Sequence, residues 1–266
     1  MKSSIDQHLA QVTADAQQTI KIDKSWGQGR TIFGGIGAAI AVQTMDNQID
    51  DERLLRSLNV NYIGPLEGDK DINLSCEKLR QGKNVSQFLV TLKQEGKTAL
   101  VAQGCYGLDR KSKYVLTNTD EHNQAKPDRK MFIPPIPKIV PKFLQHFDLS
   151  LQKGKFFNNP EQPIELHGWC RFKKKPEKIS NAHLVALFDC WPPTLLQLVK
   201  LPAPANTMSW NIEFIHPSHQ GYENNWFAFQ AVADHFHNGY GTESSKIWDK
   251  QGRLIAVAQQ HVTLFA

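Results

Sequence analysis

The chain has 266 residues, 40% of them hydrophobic, enough for two domains of roughly 100 to 150 residues. No run approaches the roughly 20 apolar residues of a membrane span, and the opening MKSSIDQHLAQVTADAQQ is too polar for a signal-peptide core, which points to a cytoplasmic protein with no membrane insertion. The net charge of +5 is concentrated in short runs, Lys173 to Lys175 and the stretch from Arg110 to Lys142, which suit a phosphate-bearing ligand but lack the interleaved aromatics of a nucleic-acid module.

In chain order, the first ten to fifteen residues read equally as a short helix or a frayed end, and Thr19 to Asp23 as a strand. Thr31 to Asn47 (TIFGGIGAAIAVQTMDN) is apolar nearly all round, the mark of a helix covered on most sides. SLNVNYIGP alternates as a strand and is closed by Pro65, which cannot continue a ladder. Gly96 turns the chain into a further strand reaching Gln103. Asp109 to Pro141, rich in lysine, proline and asparagine, reads as an extended connector. Phe147 to Leu151 and Ile164 to Phe172 follow as strands. Ser180 to Val199 is a second apolar helix, interrupted at Trp191, Pro192 and Pro193 because proline removes a backbone donor and disfavours helix in the residue before it.

The end of the chain then repeats the first half. SWNIEFIHP, closed by Pro217, matches SLNVNYIGP without a gap, and KQGRLIAVAQ, with Gly252 and Gln259, matches QEGKTALVAQ, with Gly96 and Gln103. Two matches in the same order imply two equivalent units, each an apolar helix wrapped by long antiparallel strands. The units are placed at residues 1–110 and 144–266, with 111–143 as linker.

WGQGRTIFGGIGAAIA followed by LRSLNVNYIGPLEGD, and later NTMSWNIEFIHP with GRLIAVAQQHV, resemble the type II acyl-CoA thioesterases. The resemblance spans nearly the whole chain outside the linker and implies an α+β fold, a tandem (double) hotdog, and hydrolysis of acyl-CoA to a carboxylic acid and CoA without a cofactor. In that family a water is held by an aspartate on the second hotdog helix, a hydroxyl on the following strand and a glutamine on the last strand. The resemblance places these roles on Asp189, on Thr207, counted back from Pro217, and on Gln260, counted forward from Gly252. Ser209 and Gln259 are their rivals: Ser209 is expected on the face of Thr207 two residues on, whereas Gln259 and Gln260 face opposite sides of one strand.

Burial in an apolar helix should raise the Asp189 pKa toward working pH, as suits a general base. Phe33, Gly34 and Gly35 open the first apolar helix, where free backbone N–H groups and the helix dipole favour a developing oxyanion; the thioester carbonyl is expected on the Gly35 N–H. The first helix has glycines but no acid between Thr31 and Met45, and the second has Asp189 but no glycine pair, so one composite site per chain is expected. Asp234, His235 and His237 offer no third metal ligand on their strand face, the cysteines at 76, 105, 170 and 190 lack metal-ligand spacing, and no GxSxG elbow is present. His183 and Asp189 on one helix keep a hydratase or dehydratase as the enzymatic alternative, and an acyl-CoA-binding protein without catalysis is the other. Exposed sheet edges point to a homo-oligomer.

Overall fold

The computed structural model describes residues 4–127, 140–159, 162–201, 203–218, 220–223 and 226–265. The chain begins as a short helix, α1 (Ile5–Leu9), closed by a capping box between Ser4 and Gln7. It continues into β1 (Gln17–Lys21), two residues earlier than the sequence suggests, and a small hairpin of β2 (Gly27–Gln28) and β3 (Thr31–Ile32). The apolar helix α2 (Gly34–Asp46) therefore starts three residues later than expected. The Ile32 and Phe33 N–H groups donate to the carbonyls of Leu66 and Trp26, which holds Thr31 to Phe33 extended.

Four long strands complete the first half: β4 (Leu54–Tyr62), β5 (Asp71–Gln81), β6 (Val85–Gln94) and β7 (Lys97–Gly107). The second half repeats the plan with β8 (Phe147–Lys153), β9 (Glu165–Phe172), α3 (Asn181–Phe188), β10 (Ala205–Phe214), β11 (Phe227–His237), β12 (Tyr240–Trp248) and β13 (Leu254–Leu264). The predicted interruption of the second helix is present: α3 stops at Phe188, and only a 3₁₀ turn, Thr194–Leu198, follows the two prolines. Gly96 and Gly252, with φ of 77° and 82°, occupy the left-handed conformation that their turns require.

One antiparallel sheet of eleven strands joins the halves, in the order β1-β5-β6-β7-β4-β10-β13-β12-β11-β9-β8. The seam is the β4–β10 ladder, where Val60 faces Trp210 and Leu58 faces Ile212. The two helices pack together against the sheet, and one apolar core runs through both halves, from Ile36, Ile40 and Val60 to Leu187, Trp210 and Ile212. Helix direction is antiparallel: the start of α2 meets the end of α3, while Gln43 of α2 shares a surface groove with Ser180 and His183 at the start of α3.

Of the connector, the described residues up to 127 form no helix or strand, but part of them is tied to the second half. Residues 120–125 lie on the outer face of the second half, where the Trp169 and Trp248 indoles donate to the carbonyls of Ala125 and Asp120 and Gln230 donates to that of His122. They cover an apolar patch that includes Trp169, Ala228 and Trp248. Among the described residues, no helix is long and apolar enough to cross a membrane.

Candidate active site

The site forms where α2 begins and α3 ends. Asp189 is the C-cap of α3, at φ −92° and ψ 0°, and its carboxylate turns toward the start of α2. A Cβ added to Gly34 would stand 3.3 Å from Asp189 Oδ2, and one added to Gly35 would stand 2.9 Å from Asp189 Cβ. Two glycines in succession let the helices approach this closely. Desolvation raises the Asp189 pKa from 3.8 to about 7; hydrogen bonds from the Gln260 amide and the Gly35 N–H pull it down, and the Glu243 charge pushes it up. The Gly35 N–H, expected to await a substrate carbonyl, thus faces the Asp189 carboxylate.

Gln260 reaches Asp189 from β13, with Nε2 donating to Oδ1 at 3.2 Å. Its neighbours on the sheet are Trp210 of β10 and Glu243 of β12. Trp210 is buried and packs edge-on against Phe188. Glu243 is buried, accepts from the N–H and Oγ of Thr194, and has its pKa raised to about 7 by desolvation. Gln259 is exposed on the opposite face, level with Asn211 and Ser244.

Thr207 comes to the inner face by a bulge. Thr207 pairs with Val262, but Ser209 pairs with His261, so Met208 is the extra residue. Val262 and Gln260 share the buried face of β13, which puts Thr207 on the face of Gln260 and Ser209 on the other. The expectation that Ser209 shares the face of Thr207 fails for this reason: one bulged residue inverts the alternation.

Two residues at the site were not found from sequence. Glu243 lies in the polar run TESSK with nothing to suggest burial. Tyr62, at the end of β4, is buried at its hydroxyl, and its ring lies against Gly34. Their signal is positional, since the seam and the β12–β13 pairing bring them in from afar.

The other sequence candidates lie elsewhere. His183 is at the opposite end of α3 from Asp189, bonded to Ser180 Oγ at 2.8 Å and Asp6 Oδ1 at 3.1 Å, so these two residues do not form one acid–histidine site. His235 and His237 lie on β11, while Asp234 accepts from Ser244. Among the described residues, no cluster of three His, Cys, Asp or Glu side chains could hold a metal.

Comparison with known proteins decides the family. Residues 22–107 match the acyl-CoA thioesterase N-terminal domain, and residues 118–264 match the acyl-CoA thioesterase C-terminal domain. The chain belongs to the acyl-CoA thioesterase family. As a thioesterase it is a thioester hydrolase, of tandem hotdog fold. It is 23% identical over 261 residues to acyl-CoA thioesterase 2 of Haemophilus influenzae, covering 87% of this chain and 86% of that one. In fold it is similar to a hot dog protein of unknown function from Alicyclobacillus acidocaldarius (21% identity, TM-score 0.88, covering 100% of this chain and 99% of that chain). It is also similar to the acyl-CoA thioesterase II TesB2 of Mycobacterium marinum (14% identity, TM-score 0.69, covering 94% and 93%).

Proposed function

We propose that the chain hydrolyses acyl-CoA with Asp189 as general base, assisted by Thr207 and Gln260, at a single site at the junction of α2 and α3. The observation that carries this reading is the buried Asp189 carboxylate, held by Gln260 and facing the Gly34–Gly35 helix start, with a pKa of about 7. A carboxylate of that pKa accepts a proton at neutral pH and can return it.

In the reaction, Asp189 takes a proton from a water as its oxygen attacks the thioester carbon. Thr207 and the free valences of Gln260 orient that water, since a hydroxyl and an amide accept and donate without ionising. The positive end of the α2 dipole favours the negative charge that develops on the carbonyl oxygen. Collapse breaks the C–S bond, and the proton on Asp189 passes to the departing sulfur. The short basic runs suit the phosphates of CoA.

The same reading takes residues 1–110 and 144–266 as the hotdog units, joined by 111–143, and the enzyme as a cytoplasmic homo-oligomer of fatty acid metabolism. The test is purified protein with acyl-CoAs of graded chain length and a thiol reagent. Thiol release supports hydrolysis; water addition to an enoyl-CoA, or binding without thiol release, overturns it.

A further inference from the structure

The proposed reaction leaves one requirement unfilled. The Gly35 N–H, the backbone donor expected to receive the carbonyl, is directed at Asp189, and an ionised base holds that donor as the attack begins. The thioester oxygen, which gains a full charge in the tetrahedral intermediate, needs a donor that the base does not occupy.

Tyr62 is such a donor. Its hydroxyl is fully buried and has no hydrogen-bond partner among the described residues, an arrangement that is costly unless something else supplies the partner. Its position is fixed on both sides. The ring atoms Cε1 and Cζ lie 3.1 and 3.3 Å from the point where a Cβ on Gly34 would stand, and Asp189 Oδ2 lies 3.3 Å from the same point. Leu58, Val60 and Tyr62 alternate onto the inner face of β4, and the seam sets Asn61 opposite Ser209, one step from the bulge that carries Thr207. The phenol therefore belongs to the corner shared by the helix start, the base and the predicted water-holding hydroxyl.

The internal repeat supplies a control. SLNVNYIGP and SWNIEFIHP align Tyr62 with Phe214, so the packing role of the ring is met at the equivalent position without a hydroxyl. The oxygen is present only at the end of the helix pair that holds Asp189.

We propose that Tyr62 is a further catalytic residue, its phenol O–H donating to the thioester carbonyl oxygen and to the oxyanion that replaces it. This inference rests on the hydrolytic reading above. The phenol keeps its proton throughout: water loses one to Asp189, the carbonyl electrons move to oxygen under the Tyr62 hydrogen bond, and on collapse the sulfur leaves and takes the proton from Asp189. Burial and the neighbouring Asp189 charge both push the Tyr62 pKa upward, which keeps the group a donor over the working range. Asp189 is the titratable group whose charge acts on it, and Asp189 loses its proton well before the phenol does.

The test compares wild type with Tyr62→Phe, which retains the ring against Gly34. In the variant kcat should fall about 100-fold, the cost of one oxyanion donor, with KM and melting temperature little changed. Two non-hydrolysable CoA ligands separate an oxyanion role from packing: a trifluoromethyl ketone, which hydrates to a tetrahedral centre, and an S-alkyl thioether without a carbonyl. The variant should bind the ketone more weakly in step with its loss of kcat/KM and bind the thioether as wild type does. A kcat within about threefold of wild type, or unchanged ketone affinity, overturns the assignment of Tyr62 and leaves the hydrolase standing. A wild-type protein that releases no thiol from any acyl-CoA overturns both.

Discussion

The two ends of the helix pair are built alike and filled differently. Val42 stands in α2 where Asp189 stands relative to α3, with the helices starting at Gly34 and Asn181. Leu55 and Thr207 each precede a bulge in the first strand after the helix, between Leu55 and Ser57 in one half and between Thr207 and Ser209 in the other. Gly104 and Gln260 each follow the matched glutamines Gln103 and Gln259, and the space over Gly104 is taken by the Met45 thioether. Val42 and Leu55 are completely buried. An aspartate, a threonine and a glutamine at one end thus correspond to a valine, a leucine and a glycine at the other. The fold is content with apolar residues at these positions, and a buried carboxylate costs stability wherever it is placed. Its presence at one end alone argues that it serves the reaction.

The hardest test of this contrast is Asp189→Asn, which should lower kcat by about 100-fold or more while the fold survives; near-normal turnover would remove the base. In wild type, kcat/KM should rise with pH with a midpoint near 7, because the base must be ionised. Stability should move the opposite way. The folded-state pKa lies above the ordinary 3.8, so the contribution of this group is complete below about pH 4 and lost as pH rises through about 7. Melting temperatures of Asp189→Asn and wild type should accordingly agree near pH 4 and favour the variant at pH 8. Glu243, also raised to about 7, adds a loss of the same sign to both proteins.

The converse exchange, Val42→Asp, should give no second site. It buries a carboxylate without the amide that Asp189 has, and denaturant unfolding should show a loss of about 3 kcal/mol. Turnover per chain above wild type would break the comparison. Gln260→Ala should lower turnover about tenfold, equivalent to about 1.4 kcal/mol in the barrier, and Gln259→Ala should leave it unchanged; the reverse pattern would move the chemistry to the outer face. The smallest effect is reserved for Thr207→Ala, a few-fold loss of kcat, since a water can replace one hydroxyl hydrogen bond. Ser209→Ala should be silent, and steady-state kinetics on the pair checks the bulge.

The helices, the break at Pro192 and Pro193, and the repeated strands were legible because their signals are local: apolar runs, prolines and turn glycines act on neighbouring residues. Asp189 and Gln260 were legible only through the family resemblance and its spacing, and their contact is a tertiary fact. The bulge at Met208 was not legible, because an extra residue in a ladder is defined by its partner strand, and alternation along a single strand predicts the wrong face for Ser209. Tyr62 and Glu243 escaped for a related reason. A tyrosine in a strand reads as ordinary packing, and its orphaned hydroxyl appears only when β4 is set beside β10 and both beneath the helices.

The seam also sets a clock on synthesis. In the first half, β4 is paired by β7 on one side only, and its other edge is completed by β10. A ribosome adding about 5 to 20 residues per second needs about seven to thirty seconds to travel from Tyr62 to Ala205. Through that interval the nascent first half carries a nine-residue strand, Leu54–Tyr62, with a free row of backbone donors and acceptors, the surface along which growing chains on one messenger can pair with each other instead of with themselves.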